Sequence, residues 1–323
     1  MSFPAVETRG LTKYFKDLPA VRNLNLTIPP GEMFGLVGPD GAGKTTTIRM
    51  LCGVIRPTSG AARILGFDLN TQSEQVKQNI GYLSQKFSLY GDLTVDENIE
   101  FFAEVHSVKD FRKRREELLE FTRLAPFRRR LADRLSGGMR QKLALACTLV
   151  HTPRVIFLDE PTTGVDPVSR RDFWKILSHL LKEGITIFMT TPYMDEAERC
   201  ARVGLMDRGV LLVMDTPSHI KSLMKGTIIE IVCEKTRLAF HVLKKTAAAL
   251  EVQIFGDRLN VIVEDRERDL PLIQAGLRKE KIEVVHARVI PPSLETVFIS
   301  LTKSPDREER PAPPEILSRN APK

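Results

Sequence analysis

The sequence predicts a layered α/β domain with a mainly parallel sheet and an inserted helical subdomain, followed by a smaller α+β domain. Three observations carry this. Strand-like apolar runs alternate with helical patterns through the first two-thirds of the chain. Residues 93–150, between two of those runs, read as mostly helical, and the last third changes to a different order of elements. The 323 residues suffice for about two domains and a sizeable core.

Val21 to Ile28 alternates apolar and polar residues and is closed by Pro29-Pro30-Gly31, which marks a strand ending in a turn. Met33-Phe34-Gly35-Leu36-Val37 has the continuous apolar character of a buried strand, and a helix is expected from Lys44 to about Cys52. Similar runs follow at Ile80 to Leu83, Val155 to Leu158 and Ile185 to Met189. Further on, Thr227 to Cys233 reads as a strand and Arg237 to Leu250 as an amphipathic helix. Val252 to Phe255 and Leu259 to Val263 form a hairpin around Gly256-Asp257, followed by a helix over Asp269 to Lys279 and a strand over Ile282 to Val289. That βαββαβ order is the split βαβ, or ferredoxin-like, arrangement. Leu294, Val297, Phe298 and Leu301 then fall on one helical face. The tail from Lys303 holds five of the twenty prolines and is expected to be disordered. The expected boundaries are 1–218, with the helical subdomain at about 87–150, then 219–302, then the tail 303–323.

Composition excludes several classes. Hydrophobic residues make up 42% and charged residues 28%, ordinary globular values that argue against a disordered chain. No apolar stretch approaches the ~18 residues of a spanning helix. Cys52, Cys147, Cys200 and Cys233 show no C-x-x-C spacing, so neither a zinc site nor a disulfide scaffold is expected. The N-terminus carries no secretory pattern, and a soluble protein of a reducing cytosol is the expectation.

The net charge of +7 is unevenly spread. Residues 109–130 hold nine bases (Lys109, Arg112, Lys113, Arg114, Arg115, Arg123, Arg128, Arg129, Arg130) against four acids, a local excess of five. Helical spacing around Leu118, Leu119 and Leu124 makes a solvated helix face one reading. Attraction to anionic lipid head groups or an acidic partner is the other. Nucleic acid is disfavoured, because no aromatic residues alternate with the charges as stacking platforms.

Gly38-Pro39-Asp40-Gly41-Ala42-Gly43-Lys44-Thr45 fits G-x-x-x-x-G-K-[ST] between a strand and a helix, the context of a P-loop NTPase core. Its glycines let backbone N–H groups close around phosphate oxygens, and the helix N-terminus adds its positive end. Lys44 is expected to reach the β- and γ-phosphates, and Thr45 to offer a hydroxyl to Mg²⁺. Asp159, leaving the run Val155 to Leu158, is the expected metal-site carboxylate. Glu160 is placed to orient or deprotonate an attacking water. Leu135-Ser136-Gly137-Gly138-Met139-Arg140-Gln141 opens another helix and forms a further anion cradle.

With these three motifs in this order, residues Val6 to Pro217 resemble the nucleotide-binding subunit of ABC-type ATPases. The resemblance implies ATP and Mg²⁺ as ligands, Gly38, Asp40, Gly41, Ala42, Gly43, Lys44, Thr45 and Thr46 as the nucleotide cradle, and Gln85 as the Q-loop residue that serves the γ-phosphate and Mg²⁺ as a catalytic and metal-site residue. Gly164-Val165-Asp166 resembles the D-loop. In the family two ATPs are sandwiched between two such domains, so Ser136, Gly137 and Gly138 are expected to act on a partner's ATP. A second nucleotide-binding domain, identical or different, and a separate membrane permease are the implied partners, with no nucleic acid. The ending Pro291 to Thr302 resembles multidrug and related exporter ATPases. The implied activity is ATP hydrolysis driving export, peripheral to the cytoplasmic face of the membrane. A regulatory subunit without turnover, or a soluble relative acting on nucleic acid or ribosomes, is the alternative.

Three positions depart from the family pattern. Phe15, beside Tyr14, aligns where an aromatic stacks on adenine, with simple packing at a strand edge as the other reading. Asp40 stands where asparagine is commoner and is expected to point away from the phosphates. Pro192, in Thr190-Thr191-Pro192-Tyr193, occupies the place of a histidine that contacts the γ-phosphate. Proline offers neither a side-chain donor nor an N–H, so slow hydrolysis at this chain's own site is expected.

Overall fold

Buried apolar runs set the centre of the fold. In the computed structural model, which describes residues 3–86 and 89–303, the chain divides into two compact units meeting at Met214 and Asp215. The first opens with β1 (Val6–Phe15), β2 (Leu18–Ile28) and β3 (Met33–Val37), then α1 (Lys44–Leu51), β4 (Ser59–Ile64), β5 (Phe67–Asp68), α2 (Ser73–Asn79) and β6 (Ile80–Leu83). Three helices follow, α3 (Val95–Val105), α4 (Phe111–Thr122) and α5 (Gly137–Leu149). The unit closes with β7 (Val155–Asp159), α6 (Pro167–Lys182), β8 (Thr186–Thr191), α7 (Met194–Ala197), β9 (Arg202–Asp207) and β10 (Val210–Asp215).

Six strands form one sheet in the order β10-β9-β3-β8-β7-β6, and the pairs β9/β3, β3/β8, β8/β7 and β7/β6 are parallel. Every residue of β3, β7 and β8 is buried, as strands covered on both faces require. Phe188 packs against Phe34 and Phe157 at ring-centroid distances of 5.3 and 5.6 Å. Val21 to Ile28 does not join this sheet. It belongs to β2 in a separate antiparallel sheet, β2-β1-β4-β5. Its alternating burial fits a strand with one covered face, and β1, β4 and β5 carry no continuous apolar run to announce them. Because β3, β8 and β7 are adjacent and parallel, their carboxyl ends bring Gly38, Pro192 and Asp159 to one rim, the usual ligand position in such sheets.

The helical expectation for 93–150 is met by α3, α4 and α5. A capping box starts α3: Thr94 Oγ1 accepts from Glu97 N, and the Glu97 carboxylate accepts from Thr94 N. The expected start of the helical subdomain at 87 lies outside the described residues. His151, just after α5, donates through Nε2 to the Ile80 carbonyl, 2.8 Å away, and stacks on His106 at 3.9 Å. Burial, with the neighbouring His106 assisting, pulls its pKa down to about 4.

The second unit comprises α8 (Pro217–Ser222), β11 (Thr227–Cys233), α9 (Thr236–Leu243), β12 (Glu251–Phe255), β13 (Arg258–Val263), α10 (Arg266–Lys279), β14 (Val284–Ile290) and α11 (Leu294–Lys303). Its strands lie in the order β12-β13-β11-β14, all pairs antiparallel. Ile229, Ile231, Val261, Ala239, Leu243, Ile273 and Leu277 form its core. Several boundaries differ from the sequence reading, among them the last strand, which runs over Val284–Ile290 rather than Ile282 to Val289. The first helix stops at Leu243 rather than Leu250, because Leu250 N already donates to Ile262 O at the edge of the strand ladder. Asp265 caps α10 through Glu267 N and Arg268 N, so that helix starts earlier than Asp269. Lys303 ends α11 and its ammonium sits 3.0 Å from Glu251, so it is no part of a tail. Residues 304–323 of that expected disordered tail lie outside the described residues.

His151 makes the fold sensitive to acid. Below its ordinary value of 6.5 the unfolded chain binds a proton that the folded imidazole refuses until about pH 4. Stability from this group is therefore full above that window and falls as pH drops through it. Urea unfolding of His151→Gln against the parent should show a smaller loss between those limits; equal losses would remove His151 from the account.

Candidate active site

The phosphate loop is shaped by what cannot fit beside it. A Cβ on Gly38 would lie 2.0 Å from Met206 O, and one on Gly43 would lie 2.3 Å from Ala20 O, where φ is also +105°. Gly43 occupies the N-cap of α1 without any side-chain cap, so the first N–H groups of that helix face the loop. Lys44 is almost fully buried. Its ammonium donates to Gly38 O at 2.8 Å and Pro39 O at 3.0 Å, and pairs with Glu160 Oε1 at 3.1 Å.

Asp159 and Glu160 are held from the neighbouring strand. Thr190 Oγ1 donates to Asp159 Oδ1 at 2.7 Å and accepts from Glu160 N at 3.0 Å. Thr45 Oγ1 donates to the same Oδ1 at 3.0 Å, which joins the phosphate loop to β7. Glu160 takes a φ of +49°, a left-handed backbone that non-glycine residues adopt rarely. Gln85 Nε2 donates to Glu160 Oε2 at 3.0 Å. Burial pushes the Asp159 pKa up, hydrogen bonds from Thr190 and Thr45 oppose this, and the charge of Glu160 adds to it.

The phosphate loop, Gln85 and Glu160 line a cleft of about 760 Å³, with Asp159 and Thr190 buried behind it. Asp40, Gly41, Ala42, Gly43, Lys44, Thr45, Thr46, Gln85 and Glu160 all border it, as do Pro192, Tyr193, Arg22 and Arg208. Asp40 is exposed at its edge. Asp159 Oδ2 is buried with no hydrogen-bond partner. A carboxylate oxygen left bare beside a threonine hydroxyl suits a hard divalent cation with oxygen ligands, so the residues fit Mg²⁺.

Two sets of expected residues lie elsewhere. Phe15 is half exposed at the end of β1, with the Lys13 ammonium 5.2 Å from its ring centroid, and it does not border the cleft. Ser136, Gly137 and Gly138 stand at the start of α5, also outside the cleft lining. Ser136 caps Met139 N, Gly137 is open to solvent, and a Cβ on Gly138 would strike Ser169 Oγ at 2.3 Å. The phosphate loop and the Ser-Gly-Gly cradle of one chain therefore form separate surfaces.

Sequence reasoning missed the lattice behind Pro192. Glu196 is buried, and its carboxylate accepts from Thr162 Oγ1 at 2.5 Å and Thr191 Oγ1 at 2.9 Å. Thr191 Oγ1 in turn accepts from Tyr193 N at 3.0 Å. Arg170 approaches Glu196 to 3.4 Å and lies over the Tyr193 ring at 4.6 Å. A buried glutamate in a short acidic helix leaves little trace in sequence. The adjacent threonines ending a buried strand were the available sign.

A P-loop fold with two carboxylates at a strand end and a second anion cradle apart from the first defines a nucleotide-binding ATPase. The profile of the family described as "ABC transporter" matches residues 21–163, and that described as "ATP-binding protein DrrA1-3-like, C-terminal domain" matches residues 216–302. The chain is 35% identical to the daunorubicin/doxorubicin resistance ATP-binding protein DrrA of Streptomyces peucetius, over 93% of each chain. It is 45% identical to the probable multidrug ABC transporter ATP-binding protein YbhF of Escherichia coli over 67% of its own length, but spans 38% of the length of that relative. Among solved structures it resembles the dimeric ATP-binding cassette MJ0796 bound to ADP and Pi, with a TM-score of 0.60 and 26% identity over 65% of this chain and 98% of that one. The chain belongs to the ABC transporter ATP-binding family.

Glu196→Ala should strip three groups of their shared acceptor and cost roughly 3 kcal/mol or more, the scale of breaking a buried pair. Glu196→Gln, which keeps one acceptor oxygen, should cost less. Urea midpoints of the two variants measure this, and equal, negligible losses would sink the lattice as a stabilising element.

Proposed function

We propose that the chain is the ATP-hydrolysing subunit of an ABC exporter, docked on a separate membrane permease at the cytoplasmic face of the membrane and paired with a second nucleotide-binding domain. The observation that carries this reading is the cleft in which Lys44, Thr45, Gln85 and Glu160 converge with Asp159 behind them, while the Ser136-Gly137-Gly138 cradle faces elsewhere. A cradle that the chain's own cleft does not use is suited to a partner's ATP. Relatives named for drug resistance and for Nod factor export support the transport role. Among the described residues no helix is long and apolar enough to cross a membrane.

In the bound state the loop N–H groups and the α1 N-terminus hold the phosphates. Lys44 exchanges Glu160 and two carbonyls for the phosphate oxygens. Thr45 and Asp159 would hold Mg²⁺, which neutralises phosphate charge when bound. Glu160, released from Lys44, takes the proton of the attacking water, and Gln85 keeps its second oxygen oriented. Pro192 borders this cleft without a donor, so the site on this chain's own phosphate loop is slow. Its cradle is free to complete a faster site on a partner. Phe15 does not border the cleft itself, but its strand partner Leu18 does, which supports Phe15 packing against a base that extends past the phosphate end. In the C-terminal unit, the strand order with helices after the first and third strands supports the ferredoxin-like reading.

The regulatory alternative is favoured by the same Pro192 and differs only in the fate of bound ATP. The purified chain should bind MgATP and turn it over slowly relative to Pro192→His, by up to ~10²–10³-fold, with Glu160→Gln as the blank. Turnover well above the blank and unmoved by Pro192→His would remove the impaired-site reading. Binding with none, even in Pro192→His and with partner present, would leave the regulatory one.

A further inference from the structure

Two arginines at the cleft, Arg22 and Arg208, have no task in the site as described. Both border it and both are exposed. Among the described residues no hydrogen bond or ion pair engages either guanidinium. The lining carries three bases, Lys44, Arg22 and Arg208, and two acids, Asp40 and Glu160. Glu160 is taken by Lys44 and Gln85, which leaves the two arginines against Asp40 at the edge. Asp207, next to Arg208, is nearly buried, already engaged and outside the lining. Asp17, exposed just before β2, does not border the cleft either.

The backbone holds both arginines against the phosphate loop. Arg22 N donates to Gly209 O at 2.7 Å, and Gly209 N donates to Ala42 O at 2.9 Å. The start of β2, the turn between β9 and β10, and the phosphate loop are thereby bonded into one unit. A Cβ on Gly209 would lie 3.0 Å from Ala20 O, so the turn and β2 are also in close contact. The turn consists of Arg208 and Gly209, both in left-handed backbone, with φ of +47° and +81°. Glycine, asparagine and aspartate suit the first of these positions, and an arginine there costs backbone strain. Among the non-glycine residues of the lining, only Glu160 and Arg208 have positive φ. Strained residues of this kind cluster at functional sites, and Glu160 already has such a role.

We infer that Arg22 and Arg208 form a clasp on the phosphate chain of the nucleotide and raise this cleft's preference for a nucleoside triphosphate over the bare nucleoside. The inference rests on the reading of the cleft as an ATP site. A guanidinium is always charged and presents a rigid fork of donors that matches phosphate oxygens. Here neither fork has a partner to release before it binds. Lys44 differs, since it must leave Glu160 and two carbonyls. The two arginines are therefore the charges open to an arriving polyanion, and Lys44 is the one gained by exchange.

The test is a fluorescence titration of the full chain with methylanthraniloyl-ATP and Mg²⁺, with ATP and adenosine as competitors. Arg22→Ala and Arg208→Gly should each weaken ATP ~3–10-fold, the scale of one partly exposed charged contact, and leave adenosine within ~2-fold. Arg208→Lys, which keeps the charge but not the fork, should recover part of the loss. Arg112→Ala, an equal charge change at an exposed site of α4 outside the cleft, should leave both competitors unchanged. Glycine accepts the left-handed backbone, so Arg208→Gly should not lower the urea midpoint. ATP affinity unmoved in either arginine variant, an equal loss for adenosine, or a lowered midpoint accompanying the loss would overturn the inference. A parent that binds no methylanthraniloyl-ATP would fault the ATP-site reading, and the inference with it.

Discussion

One hydroxyl organises the catalytic rim. Thr190 Oγ1 is fully buried between β7 and β8, giving its proton to Asp159 and taking one from the backbone of Glu160. Those two bonds set the direction of both carboxylates. Asp159 is held by one oxygen, which frees the other. Glu160 is drawn back toward β8 into a left-handed backbone that sends its side chain to Lys44 and Gln85. Without the threonine, a desolvated aspartate next to a second carboxylate would be driven to protonate. The parallel pairing Asp159↔Thr190 places that hydroxyl where it is needed.

The Lys44–Glu160 pair follows from the same geometry. Both side chains are nearly out of solvent, and burying two charges is tolerable only when they meet each other and further hydrogen-bonding groups. Lys44 has two carbonyls in addition, and Glu160 has Gln85. A phosphate competing for Lys44 would leave Glu160 with Gln85 alone. Ligand binding and the release of Glu160 from Lys44 are thus one exchange of partners.

Much of this was legible in sequence because the chemistry tolerates few residue types. Gly38 and Gly43 are dictated by backbone atoms of Met206 and Ala20 that leave no room for a Cβ, and a G-x-x-x-x-G-K-T pattern reports that crowding directly. Strands β3, β7 and β8 were legible for a comparable reason, since burial on both faces demands continuous apolar runs. The antiparallel sheet was half hidden: β1 and β4 mix polar and apolar residues and carry bulges or register shifts that blur the period of two. Glu196 and Arg170 were not legible. A charged residue in an acidic helix reads as solvated, and its burial depends on threonines 34 and 5 positions away coming to meet it.

That hidden lattice explains how Pro192 can stand at the catalytic rim without disordering it. Proline forces its predecessor into extended backbone, and Thr191, the last residue of β8, is already extended. The ring removes the N–H of residue 192, yet the turn is secured by its neighbours: Tyr193 N donates to Thr191 Oγ1, which donates to Glu196. Glu196 also holds Thr162, two residues beyond Glu160, and Arg170, which covers the Tyr193 ring. Position 192 is therefore carried by contacts that do not use its own polar groups. The framework survives the exchange and only a donor facing the cleft is absent. The slow hydrolysis proposed for this chain's own site would therefore leave its nucleotide cradle and its Ser-Gly-Gly surface intact, the division of labour that a pair of unlike subunits can use.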